Sequence, residues 1–66
     1  MTRRDEILTV LAAGPADARA ITRATGMKAS PENIRNIRME LYRMEKQGLV
    51  FRFRDDDDGP YIWRAR

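Results

Sequence analysis

Six side chains between Ser30 and Gly48 have the chemistry to recognise an ordered polyanion: Arg35, Asn36, Arg38, Met39, Tyr42 and Arg43, in the stretch SPENIRNIRMELYRMEKQG. A guanidinium presents a planar fork of donors that fits guanine edges and phosphates, and a carboxamide presents the paired donor and acceptor that fit adenine. A thioether or a phenol adds apolar contact with a base methyl or a sugar. The chain has no histidine and no cysteine, which removes the usual general base, the thiolate nucleophile and the soft metal ligands. No Gly-rich phosphate loop and no apparent pair of carboxylates in a cleft are present, so the acid, base and nucleophile roles have no convincing occupants. We expect no enzyme activity, no cofactor, no metal and no small-molecule substrate.

Those six residues need a helix to align them. Ser30 can cap the free N–H groups of a helix, Pro31 suits its first position, Glu32 favours the positive end of the dipole, and Gly48 ends it, giving a helix over about 31–47. On a wheel of 3.6 residues per turn Ile34, Ile37, Leu41 and Met44 form one apolar stripe, while Glu32, Arg35, Asn36, Met39, Arg43 and Lys46 lie opposite it with Arg38 and Tyr42 on a flank. A solvated amphipathic helix is the competing reading of these residues taken alone.

The same signals divide the chain before this helix. A helix from about Arg3 to Ala13 carries Ile7, Leu8 and Leu11, with Asp5 and Glu6 in its first turn, and Gly14-Pro15 stops it. Asp5 and Glu6 also interrupt the apolar run that a signal peptide would need. Asp17 can cap a short second helix to about Thr25 with Ala20, Ile21 and Ala24 as its apolar positions, and Gly26 gives it a left-handed exit. Two helices joined by a short Gly-containing turn, the second longer and basic, form the pattern of a helix-turn-helix.

After Gly48 the period changes to two. Leu49–Arg54 and Tyr61–Arg64 read as strands around Asp-Asp-Asp-Asp-Gly-Pro, which makes a β-hairpin. A tip centred near Asp57 would set Phe53 opposite Tyr61 and Phe51 opposite Trp63, with all four aromatics on one side and Val50, Arg52, Ile62 and Arg64 on the other. Phe51 and Trp63 are then candidates for the core, and Phe53 and Tyr61 for partial exposure.

With 66 residues, 42% hydrophobic and 35% charged, the chain suits one small domain spanning 1–66 with a modest core and no transmembrane segment. The absence of cysteine fits a reducing, cytoplasmic setting. The formal charge is +3, but Asp55–Asp58 hold four of the ten acids, so the remaining six face thirteen Lys and Arg, a balance of +7. Such a surface suits nucleic acid.

Three helices followed by a hairpin, in this order, resemble the winged helix-turn-helix domains over nearly the whole chain, an α+β fold whose C-terminal two-stranded hairpin is the wing. The residues most specific to the likeness are Ala24-Thr-Gly-Met27 in the turn and Leu41-Tyr-Arg-Met-Glu-Lys-Gln-Gly-Leu-Val50, which looks like the helix-to-wing junction of MarR-type and related prokaryotic regulators. The resemblance implies a transcriptional regulator that places its third helix in the major groove of double-stranded DNA. Arg35, Asn36 and Met39 would then read bases; Lys28, Ser30, Arg38, Tyr42 and Arg43 would touch the backbone, as would Arg52 and Arg54 from the wing.

Two features depart from that pattern. The tip holds Asp55, Asp56, Asp57 and Asp58 where such wings carry basic residues, and phosphates within a Debye length of about 8 Å would repel them. There is also no added dimerisation helix, so specificity over more than a few base pairs calls for a homodimer or a protein partner. A second branch is similar in Leu41-Tyr42 with Pro60-Tyr-Ile-Trp63: the domains that bind left-handed nucleic acid through a helix tyrosine and a wing tryptophan, although Arg38 stands where they carry asparagine. The competing class is a protein-binding winged helix, such as a phage-type inhibitor of a host nucleic-acid machine, acting through Asp55–Asp58.

Overall fold

A computed structural model describes residues 2–54 and 56–66. Helix α1 runs Arg3–Ala13, strand β1 Ala16–Asp17, α2 Ala18–Ala24, α3 Pro31–Lys46, β2 Val50–Phe53 and β3 Ile62–Ala65. Each helix starts where a side chain can accept from its free N–H groups: Thr2 from Asp5 N–H, Asp17 from Ala20 N–H and Ser30 from Asn33 N–H. None of these helices is long and apolar enough to cross a membrane.

Helices α2 and α3 end in the same way. Gly26 and Gly48 adopt φ of 83° and 77°, a left-handed conformation that costs other residues about 1–2 kcal/mol. Met27 N–H then returns to Thr22 C=O and Leu49 N–H to Met44 C=O, which satisfies carbonyls the helix leaves open. Gly48 therefore turns the chain out of α3 into β2. Gly48→Ala meets no neighbour within 4 Å, so its expected loss of about 1–2 kcal/mol is purely conformational and measurable as a lower urea midpoint with an unchanged slope.

Among the described residues nine apolar ones are buried, Ile7, Leu11, Ala18, Ile21, Ile37, Leu41, Met44, Val50 and Trp63, so every helix and both hairpin strands contribute to one core. The stripes expected on α1 and α3 face it. In α2 the inward residues are Ala18, Ile21 and Thr22, whereas Ala20 and Ala24, expected on the packing face, are exposed. Ala18, Ile21 and Thr22 share one face at spacings of three and four, so burying that face turns Ala20 and Ala24 to solvent. Thr22 Oγ1 donates to Ala18 C=O at 2.7 Å, so its hydroxyl is buried without being orphaned.

The sheet has three strands in the order β1-β3-β2, all antiparallel. The short β1 joins it by pairing Ala16 with Trp63 and Asp17 with Ile62. In the hairpin Phe53 pairs with Ile62, Arg52 with Trp63, Phe51 with Arg64 and Val50 with Ala65, one residue away from the register expected for a tip centred at Asp57. The reason lies in the turn: Gly59 N–H bonds Asp56 C=O, so the bend is centred between Asp57 and Asp58 rather than on either. A one-residue slip moves every side chain to the other face. The four aromatics are therefore divided. Tyr61 and Trp63 lie with Val50 and Arg52 toward the helices, and Phe51 and Phe53 lie with Ile62 on the outer face, where Phe51 is half-buried and outside the core.

Candidate nucleic-acid interface

Burial of Ile37, Leu41 and Met44 turns the opposite side of α3 to solvent. Arg35, Met39 and Arg43 follow one another at intervals of four along that side, and Met39 is 46% exposed, the one exposed large apolar residue among those described. Asn36 is exposed on one flank and Arg38 on the other, where the half-buried Tyr42 follows it one turn later. Lys28 is exposed just ahead of α3, and its carbonyl accepts from Asn33 Nδ2 at 2.9 Å, which holds the entry to the helix. Ser30 is half-buried and its Oγ accepts from Asn33 N–H, leaving its own O–H as a donor. Among the described residues the ion pairs are Arg3–Glu6 and Arg52–Glu45. Lys28, Arg35, Arg38 and Arg43 thus carry charge that no described carboxylate neutralises.

The wing arginines are positioned differently. Arg52 lies over Tyr42 at 5.2 Å and over Tyr61 at 4.6 Å, and its Nε meets Glu45 of α3 at 3.3 Å. Arg54 lies over the same Tyr61 ring at 4.0 Å, and its Nη1 donates to Asp57 C=O at 2.9 Å. Tyr42, Arg52, Tyr61 and Arg54 therefore form an alternating stack of rings and guanidiniums that ties the wing to α3, each contact adding about 0.5–1 kcal/mol at such exposure. This arrangement follows from the hairpin register, and a reading that set Tyr61 opposite Phe53 had no means of finding it.

Asp56, Asp57 and Asp58 are exposed at the tip; Asp55, also singled out in the sequence, lies outside the described residues. Tyr42 and Trp63 meet edge to face with centroids 5.6 Å apart. These are the helix tyrosine and the wing tryptophan that the likeness to domains for left-handed nucleic acid would set against the ligand's backbone. Trp63 is only 1% exposed, however, so its ring has no surface to offer a ligand.

Helix α1, the short strand β1, the α2–α3 helix-turn-helix and the β2–β3 hairpin, in this order, make the fold a winged helix-turn-helix. Among solved structures the chain is similar to the homodimeric winged helix-turn-helix DNA-binding domain of a Mycobacterium bovis protein described as a possible ArsR-family transcriptional regulator. The likeness has a TM-score of 0.77 and 30% identity, over 96% of this chain and 52% of that one. The chain thus spans about half the length of its structural neighbour. That description names ArsR where the junction motif suggested MarR, so the likeness carries the winged helix and not the branch. No protein-family model and no curated protein matches the chain.

Proposed function

We propose that residues 1–66 act as one winged helix-turn-helix domain that binds double-stranded DNA sequence-specifically and regulates transcription without enzymatic chemistry, in the cytoplasm. The observation that carries this reading is the solvent side of α3, where Arg35, Met39 and Arg43 form an exposed line whose cations have no described ion-pair partner. A helix of this width fits the major groove, where Arg35 and Asn36 reach base edges, Met39 meets a thymine methyl, and Lys28, Ser30, Arg38, Tyr42 and Arg43 lie toward phosphates. Arg52 holds the wing against α3, and Arg54, anchored within the wing, keeps donors free for the backbone. One domain contacts too few base pairs for useful specificity, so two copies on paired half-sites are the natural working form, consistent with the homodimeric state of the neighbour.

The exposed Asp56–Asp58 tip favours a second reading, in which the wing docks on a basic protein surface while α3 remains free. A salt titration of binding to a labelled random-sequence duplex, read by fluorescence anisotropy, separates the two. The DNA reading expects affinity to fall with salt as about three to six counterions are released, and Asp56–Asp58→Asn to tighten binding by removing repulsion. No binding at low salt would defeat it and leave the tip as the working surface.

A further inference from the structure

A cleft of about 580 Å³ opens where α2, α3 and the wing meet. Its lining includes Arg19 from α2, Arg38 from α3 and Arg54 just beyond β2, with the rings of Tyr42 and Tyr61. Among the described residues one carboxylate, Asp17, shares the lining, and its Oδ1 is committed to Ala20 N–H at 2.8 Å. None of the three arginines forms an ion pair among the described residues. Among the described residues the lining thus sets three guanidiniums against one carboxylate, a balance that favours an anionic ligand.

The residue types narrow the anion. Guanidinium forks match tetrahedral oxyanions in a way single ammonium groups do not, and no lysine lines the cleft. Its volume exceeds that of an isolated oxyanion and suits a phosphate with its adjoining sugar, for which the tyrosine rings are apolar walls. Arg54 is fixed by Tyr61 and by Asp57 C=O through Nη1, so its other donors can point at a ligand without loss of the wing. Arg38 joins the cleft to the exposed line of α3, one position from Met39.

We propose that the cleft seats a phosphate group borne by the DNA backbone: Arg19, Arg38 and Arg54 donate to the non-bridging oxygens of one phosphodiester on the strand bordering the groove that α3 enters. This rests on the DNA reading above and adds Arg19, a residue outside both α3 and the wing. Arg19 is exposed, so its removal leaves the core intact.

The test compares Arg19→Ala with Arg23→Ala, an exposed arginine on the same helix that does not line the cleft. With the random-sequence duplex, Arg19→Ala is expected to weaken binding about five- to tenfold and to lower the salt slope by about 0.9, with a clearly smaller effect for Arg23→Ala. Equal losses for the two variants would overturn the cleft and leave the DNA reading standing. The Nε–H signals of Arg19, Arg38 and Arg54 in a ¹⁵N NMR titration give a readout independent of DNA affinity. If the wild-type chain binds no duplex but inorganic phosphate shifts all three together, the site takes free phosphate and the DNA reading alone fails. If neither duplex nor inorganic phosphate moves them, the cleft is overturned as well.

Discussion

Trp63→Ala is expected to leave the chain largely unfolded at 37 °C. The indole is 1% exposed, meets Tyr42 edge to face, and stands in the central strand between Ala16 of β1 and Arg52 of β2. Truncating a buried tryptophan costs about 3–5 kcal/mol, whereas a chain of this size has a total stability of about 3–10 kcal/mol. The loss is therefore comparable to the whole. Far-UV circular dichroism during urea unfolding is the appropriate measurement, because the substitution removes the one tryptophan fluorophore. Trp63→Phe keeps an aromatic ring at the site and should retain a cooperative transition. An alanine variant with a midpoint close to wild type would show that β3 does not seal the core.

The second large effect concerns α3. On a specific duplex, once one has been selected, Arg35→Ala and Asn36→Ala are each expected to cost about 1–3 kcal/mol, a five- to 150-fold loss, while binding to random sequence changes little. Arg43→Ala should weaken both by a similar factor and reduce the salt slope by about one, as a phosphate contact does. The pattern across sequences carries the meaning. If all three variants lose affinity equally on every duplex, the exposed line is an electrostatic patch and not a reader of bases. All three side chains are exposed and outside the core, so folding is not the variable being measured.

The helices were legible in the sequence because their limits are set by neighbours along the chain. Asp17 and Ser30 cap within three residues, Gly26 and Gly48 reverse within one turn, and the apolar stripes of α1 and α3 repeat at helical spacing. Strand β1 was not legible: Ala16 and Asp17 carry no strand signal, and they become a strand only by pairing with Trp63 and Ile62. The hairpin was visible but its register was not, since Asp55–Asp58 are chemically alike and only the bond from Gly59 to Asp56 decides where the turn is centred. From that single step followed the faces of Phe51, Phe53 and Tyr61, and with them the ring and guanidinium stack. Arg19 carries no signal of its own in the sequence, because the cleft it lines exists only once α2, α3 and the wing are assembled.

The pairing of Ala16 with Trp63 has a kinetic meaning. The two residues are 47 positions apart, and all three helices lie before the strand that joins them. Closing a segment of that length costs about 3 kcal/mol in chain entropy before the contact returns anything. Helices α1 to α3 can form and collapse locally, but Trp63 can reach its place only when β3 arrives between β1 and β2. Folding should therefore pass through a late, rate-limiting closure, slower than that of a purely helical bundle of the same length. Substitutions at the helix caps would then act mainly on the early collapse, and those at the β1–β3 seam on how long the closed molecule survives before it opens.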